Sequence, residues 1–268
     1  MRRQVLLYVL TSLVAASVLV LAQVSPSEQV QVGPPLRHTQ TPLASATPQE
    51  LEQRADELRG QKSYLDALDY YGTALKKHPG SCSLLNKIGI TQLELQRFHD
   101  ASKSFERAIK SDREYADAYN NLGVIYYLEK KHGKAIKQYE KAIKLRQDAA
   151  SYFSNLGAAY FSKKELEKAV AAYTEAMRLD PDIFERTSHT GVQAQMSSPE
   201  DRAHFDYVMA KLFAQAGNSD RSLQYLRKAL EEGYKGINDV YKDAEFAGLR
   251  KDPRFTELMA ARPPGIPE

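Results

Sequence analysis

The sequence predicts an all-α fold, a solenoid of antiparallel helix pairs stacked one upon the next. Three observations predict it. "NNLGVIYY" from Asn120 and "SNLGAAYF" from Ser154 stand 34 residues apart. Stepping by that interval in both directions gives four units without gaps: 48–81, 82–115, 116–149 and 150–183. Four places keep their residue type in every unit. The eighth holds Ala55, Gly89, Gly123 and Gly157, and the twentieth Ala67, Ala101, Ala135 and Ala169. The twenty-fourth holds Tyr71, Phe105, Tyr139 and Tyr173, and the twenty-seventh Ala74, Ala108, Ala142 and Ala176. A motif used for chemistry is needed once. One repeated at a fixed interval belongs to the architecture.

Each unit reads as two helices. In the third, Tyr119, Leu122, Gly123 and Tyr126 share one face of a first helix, while Ala135, Tyr139, Ala142 and Ile143 share one face of a second. Small residues at the eighth, twentieth and twenty-seventh places let the two axes approach, and the ring at the twenty-fourth fills the space around them. A lone pair cannot offset the conformational entropy of its ordered backbone by burying a few core side chains. Neighbouring pairs must therefore share a core.

The residues "LNKIG…A…F..A", "YNNLGVIYY…A…Y..A" and "FSNLGAAYF…A…Y..A…DP" resemble the tetratricopeptide repeat, over Pro48 to Ile183. The resemblance implies a right-handed superhelix whose first helices line a concave groove that holds peptides. Two departures bear on the geometry. Arg54 stands where the other units have Ile88, Leu122 and Leu156, which predicts a partly exposed cap. Pro79 and Pro181 are replaced by Arg113 and Gln147 in the middle units, which predicts less sharply turned boundaries there.

The period breaks over 184–202 and resumes in a degenerate fifth pair, 203–236. Ser198 is the expected N-cap, with Pro199 at the first helical place and Glu200 and Asp201 in the first turn. Met209, Ala210, Ser222, Leu226 and Ala229 take the core places, and Gly217-Asn218 marks the turn. Residues 237–268 predict amphipathic helices around Asp243–Leu249 and Pro253–Met259, similar to a tail that closes tetratricopeptide arrays. Phe246, Leu249, Phe255 and Leu258 would cover the last pair.

Ahead of the units, Arg2, Arg3 and the apolar run Val5–Val20 read as an export signal over 1–22, ending in Val20-Leu21-Ala22. The run is also long enough to stay as an uncleaved anchor. Either way the remainder is expected outside the cytoplasm, periplasmic or secreted. Residues 23–47, rich in Pro, Gln, Ser and Thr, read as a tether.

With 43% hydrophobic and 26% charged residues and a net charge of +3, nothing in the composition calls for a nucleic acid partner. Cys82 is the one cysteine, so intramolecular disulfides and Cys-rich metal sites are excluded. GxSxG, HExxH, GxGxxG and GxxxxGK[ST] are absent, and the six histidines are scattered. No enzyme activity, cofactor or metal is expected. Lys130, Lys131, Lys134, Lys137, Lys141, Lys144 and Arg146 read as a solvated outer face, with anionic lipid or nucleic acid as the alternative.

The second, fifth, ninth and twelfth places of each first helix point roughly 130° from the packing face. The resemblance makes them the groove lining: Asn86, Ile90, Asn120, Val124, Tyr127, Ser154, Ala158 and Phe161, flanked by Ser83, Leu93, Asp117 and Ser151. Asp117 and Ser151 stand where a variant of the family that clamps a C-terminal carboxylate needs Lys, which disfavours that role. The expected function is a non-enzymatic scaffold of the cell envelope binding a peptide or protein segment, with membrane contact only through the N-terminal segment. A self-associating envelope component, or an accessory subunit of an envelope enzyme or secretion complex, is the alternative. If the groove reading holds, Ala at Asn120 and Tyr127 weakens capture and leaves unfolding unchanged.

Overall fold

The computed structural model describes residues 41–184 and 198–261. The export signal, most of the tether, the greater part of the 184–202 break and the last seven residues lie outside the described residues. Within them, no helix is long and apolar enough to cross a membrane.

First and second helices alternate with the predicted spacing. The first helices are α1 (Pro48–Gly60), α3 (Cys82–Glu94), α5 (Ala116–Leu128) and α7 (Ala150–Ser162). The second helices are α2 (Tyr64–Lys77), α4 (Phe98–Ser111), α6 (His132–Leu145) and α8 (Leu166–Leu179). Each helix packs on its hairpin partner, and each second helix packs on the first helix of the next unit. The fifth pair is α9 (Pro199–Gln215) and α10 (Ser219–Glu231).

The close approach inferred from the small residues is present. A Cβ added to Gly123 would stand 2.6 Å from the Tyr139 ring, and one on Gly89 or Gly157 would stand 2.5 Å from Phe105 or Tyr173. The alanines at the twentieth and twenty-seventh places are fully buried in all four units. In the fifth pair Ser222 replaces the twentieth-place alanine, and its hydroxyl donates to the Ala210 carbonyl at 2.7 Å. The hydroxyl therefore stays satisfied inside the core.

Between the two helices of every unit the fifteenth residue is left-handed: Lys62, Gln96, Lys130 and Lys164 at φ 58–62°, and Gly217 at φ 74°. Only the fifth pair uses the residue that tolerates this region without a Cβ penalty. Lys130→Gly and Gln96→Gly are each expected to stabilise the fold by about 0.5–1 kcal/mol. Urea unfolding checks this, and a loss of stability in both variants would refute the account.

The boundaries lacking proline turn as sharply as the others, which corrects the expectation for Arg113 and Gln147. His78, Asp112, Arg146 and Asp180 all leave the helix at φ between −135° and −148°. Each N–H bonds to the alanine carbonyl four residues back, so the cap geometry recurs with or without a proline beyond it. At the other end Arg54 is half-exposed and paired to Glu57 at 2.7 Å, as a cap requires.

The folded part begins before Pro48. Thr47 and Glu50 form a reciprocal capping box, and Lys77 Nζ donates to the Ala44 carbonyl at 2.7 Å. Ser198 caps α9 through the Asp201 N–H at 3.0 Å, as expected. The tail departs from expectation. In place of a helix around Asp243–Leu249 it forms 3-10 turns at Ile237–Tyr241, Ala244–Phe246 and Leu249–Lys251, and then α11 (Pro253–Ala260) capped by Asp252. Two three-residue 3-10 turns, Ala244–Phe246 and Leu249–Lys251, take the place of that helix. Phe246, Leu249 and Phe255 are nonetheless buried in one cluster with Tyr207 and Leu226.

Candidate functional site

The side chains expected to line a groove are for the most part inside the stack. Asn120 is 1% exposed, Val124 and Phe161 0%, and Asn86, Tyr127, Ser154 and Ala158 no more than 7%. Ile90 alone is half-buried. The reason is that α5 meets the first helices on both sides of it, α3 and α7. Val124, Tyr127 and Ala158 share one core cluster, and Phe161 joins that of the fifth pair. Tyr127 bonds Ser162 at 3.0 Å, and Phe161 meets His204 edge-on at 5.1 Å.

The asparagines form a ladder. Asn121 Nδ2 donates to Asn86 Oδ1 at 2.9 Å, and Asn155 Nδ2 donates to Asn120 Oδ1 at 3.0 Å. Asn120 Nδ2 donates to Asn121 Oδ1 at 3.1 Å, which ties the two rungs together. In each rung the sixth place of one unit donates to the fifth place of the unit before it. The first joint keeps the rule with charges: Lys87 pairs with Glu52 at 2.7 Å and with Asp56 at 2.6 Å. Burial works against the Lys87 ammonium, but the two carboxylates outweigh it and raise its pKa. The last joint has no rung, because Val208 occupies the sixth place of the fifth pair.

Two hollows lie beside first helices. The N-terminal one, about 510 Å³, is lined by Asn86 and Ile90 together with Arg59, Lys87, Tyr115, Asp117, Arg146 and Asp148. Asp117 holds its wall together, accepting from Arg146 at 2.5 Å and from the Tyr152 hydroxyl at 2.6 Å. Burial first, and then this bond, push the Tyr152 pKa well up, and burial pushes Tyr115 up to about 12. Both phenols stay neutral at physiological pH.

The C-terminal hollow, about 250 Å³, lies between α8, α9 and the tail turns. Leu166, Val170, Val208 and Leu212 give it apolar surface, while His204, Tyr207, Lys211 and Tyr234 supply polar groups. Tyr234 stacks on Tyr207 with centroids 4.6 Å apart, and on His204 at 5.3 Å. Tyr207 donates to Asp243 at 2.8 Å, and Lys211 bridges Asp243 at 2.9 Å and Glu245 at 3.3 Å. Burial opposes the Asp243 charge, yet the bonds from Lys211 and Tyr207 hold its pKa below the usual carboxylate value. Burial lowers the pKa of His204 and favours the neutral imidazole. Among the described residues no group of His, Cys, Asp and Glu side chains could hold a metal ion.

His204, Tyr207 and Lys211 occupy the second, fifth and ninth places of the fifth pair, so the same place rule, carried one unit further, finds them. Tyr234 and the acidic residues of the tail turns carry no such signal. Tyr234 ends the fifth pair at a place the rule does not pick out, and the acidic residues belong to no repeat, so only the packed tail brings them to α9.

The tetratricopeptide repeat family model matches residues 86–150, and a second model of the same repeat matches 150–183. Residues 86–183 carry tetratricopeptide repeats. These matches span the second to fourth units, and the described helices of the first unit continue the same register. Solved structures similar to this chain include MamA from Desulfovibrio magneticus RS-1, at 17% identity and a TM-score of 0.49 over 71% of this chain and 97% of that one. TTC0263 of Thermus thermophilus shows 21% identity and a TM-score of 0.49 over 80% of this chain and 100% of that one. YrrB, described as a TPR protein with an unusual peptide-binding site, shows 17% identity and a TM-score of 0.46 over 72% and 89%. No curated protein matches the chain significantly. As a tetratricopeptide array the protein is a scaffold for protein–protein interaction.

Proposed function

We propose that the protein is a non-enzymatic, extracytoplasmic scaffold that holds a segment of a partner protein along its first-helix side, with an apolar side chain of that segment seated in the C-terminal hollow. One observation carries this reading: a concave site lined by Leu166, Val170, Val208 and Leu212 together with His204, Tyr207, Lys211 and Tyr234. Apolar surface with a few convergent polar groups is how peptide and small-molecule sites are built. Ring stacking of Tyr234 on Tyr207 and His204, and the bonds of Tyr207 and Lys211 to the tail, fix those polar groups in advance, so a ligand orders little of the receptor on binding. Arg2, Arg3 and the apolar run after them support the extracytoplasmic location. End-to-end self-association is less favoured, because Phe246, Leu249 and Phe255 already cover the last pair.

Peptides selected by the immobilised full chain from a displayed random library provide the probe. Leu166 is 36% exposed at the hollow, so Leu166→Glu adds a charge there without opening the core. It should weaken the selected peptides at least about tenfold, the order expected when an apolar group meets an unpaired charge. Leu145→Glu, outside both hollows, should leave their affinity unchanged. Equal binding by Leu166→Glu and the unaltered chain sinks the reading.

A further inference from the structure

The second helices of the middle units carry a feature that peptide binding does not use. The twenty-second, twenty-sixth and twenty-ninth places are Lys103, Arg107 and Lys110 on α4, and Lys137, Lys141 and Lys144 on α6. All six are exposed, and none is ion-paired with another described residue. The same places hold Asp69, Thr73 and Lys76 in the first unit, and Ala171, Glu175 and Arg178 in the fourth, where Glu175 and Arg178 pair with each other. Equivalent places of stacked units face the same way, so the six form two parallel rows of three. Each row is about 10 Å long. Glu106 and Glu140 sit at the twenty-fifth place of the same helices, and Glu140 accepts a bond from Tyr160 at 2.8 Å. Cations remain in excess on this face, in a chain whose formal charge is only +3.

We propose that this face of α4 and α6 docks on an anionic phospholipid surface. Five of the six cations are lysines, compact charges on flexible stems that suit mobile headgroup phosphates better than a fixed bidentate partner. The stacking rings that single-stranded nucleic acid requires are not presented there. Tyr119 and Tyr126 lie beneath Lys141 and Lys134, at 4.3 and 5.6 Å from ring centroid to ammonium. None of the six cations lines either hollow, so docking leaves the peptide site free. The proposal holds on either side of a membrane and stands apart from the proposed peptide site.

Vesicle flotation of the full chain tests it. The N-terminal apolar run contributes alike to every mixture, so the readout is the ratio of binding to vesicles containing about one-third phosphatidylglycerol over pure phosphatidylcholine vesicles. Lys103→Gln, Lys110→Gln, Lys137→Gln and Lys144→Gln together should lower that ratio about tenfold or more, and added salt should do the same to the unaltered chain. Lys62→Gln, Arg227→Gln, Lys235→Gln and Lys251→Gln remove equal charge from exposed places elsewhere and should leave the ratio intact. All eight side chains are exposed, and circular dichroism checks that both variants fold. Equal losses in the two quartets would reduce the effect to net charge and overturn the proposal. So would an unchanged ratio, or tighter binding of the unaltered chain to duplex DNA than to the anionic vesicles at the same ionic strength.

Discussion

Truncating Tyr139 to alanine should cost the array about 3–5 kcal/mol. The ring is fully buried and lies against Gly123, whose missing side chain is what gives it room. With the ring gone, the gap faces a glycine and the flanking alanines Ala135 and Ala142, and none of them can grow into it. The conservative change should behave in the opposite way. The Tyr139 hydroxyl is buried with no hydrogen-bond partner among the described residues, and burial drives its pKa well up, so it is a phenol kept away from water for no bond in return. Phe105 fills the same place in the second unit. Tyr139→Phe should therefore be neutral or stabilising by up to about 1 kcal/mol. The chain has no tryptophan, so urea unfolding followed by circular dichroism is the measurement. A Tyr139→Ala midpoint indistinguishable from the unaltered protein would mean that the unit does not close on its ring.

Asn120→Ala should cost about 2–5 kcal/mol, far more than removal of a surface side chain. It takes away the acceptor of Asn155 Nδ2 and the donor to Asn121 Oδ1, and both partners belong to buried residues. Ser154 is the internal comparison. It stands at the same place one unit later, where the next sixth-place residue is Val208, which has no side-chain donor for a rung. Ser154→Ala should therefore cost much less. A double-mutant cycle between Asn120 and Asn155 isolates the rung, and a coupling energy near zero would dismiss it. The expectation that alanine at Asn120 and Tyr127 leaves unfolding unchanged is thus reversed, because both side chains join units together.

The helix boundaries were legible because the repeat writes them several times. Gly, Ala and an aromatic ring recur at places where only those sizes pack, and one register locates α1 to α8. The ladder was not legible, since an amide on a helix looks the same whether it faces water or another amide. Its burial is decided by how closely the next first helix approaches. The left-handed turn residues were hidden by their identities, with Lys62, Gln96, Lys130 and Lys164 standing where Gly217 alone announces the conformation. Of the candidate site, Asn86 and Ile90 could be read in advance as part of a hollow. His204, Tyr207 and Lys211 needed only the place rule carried into a degenerate pair. The tail's share, Tyr234 and the carboxylates of Asp239, Asp243 and Glu245, depends on contacts between residues with no common period. Such contacts leave no pattern in one sequence.

The ladder also decides the order in which this protein comes apart. Its rungs tie nearest neighbours only, and the third unit holds one on each side, through Asn121 to Asn86 and through Asn120 to Asn155. The joint between the fourth unit and the fifth pair relies on packing and on solvent-facing ion pairs such as Lys164 with Asp201, which add little. Loss of structure is therefore expected to begin at the two ends and travel inward, and the third unit, tied to both neighbours by buried amide rungs, is the keystone expected to let go last. A partner lying along the first helices spans that keystone, and by bracing the weaker end joints it would slow the fraying of the whole array.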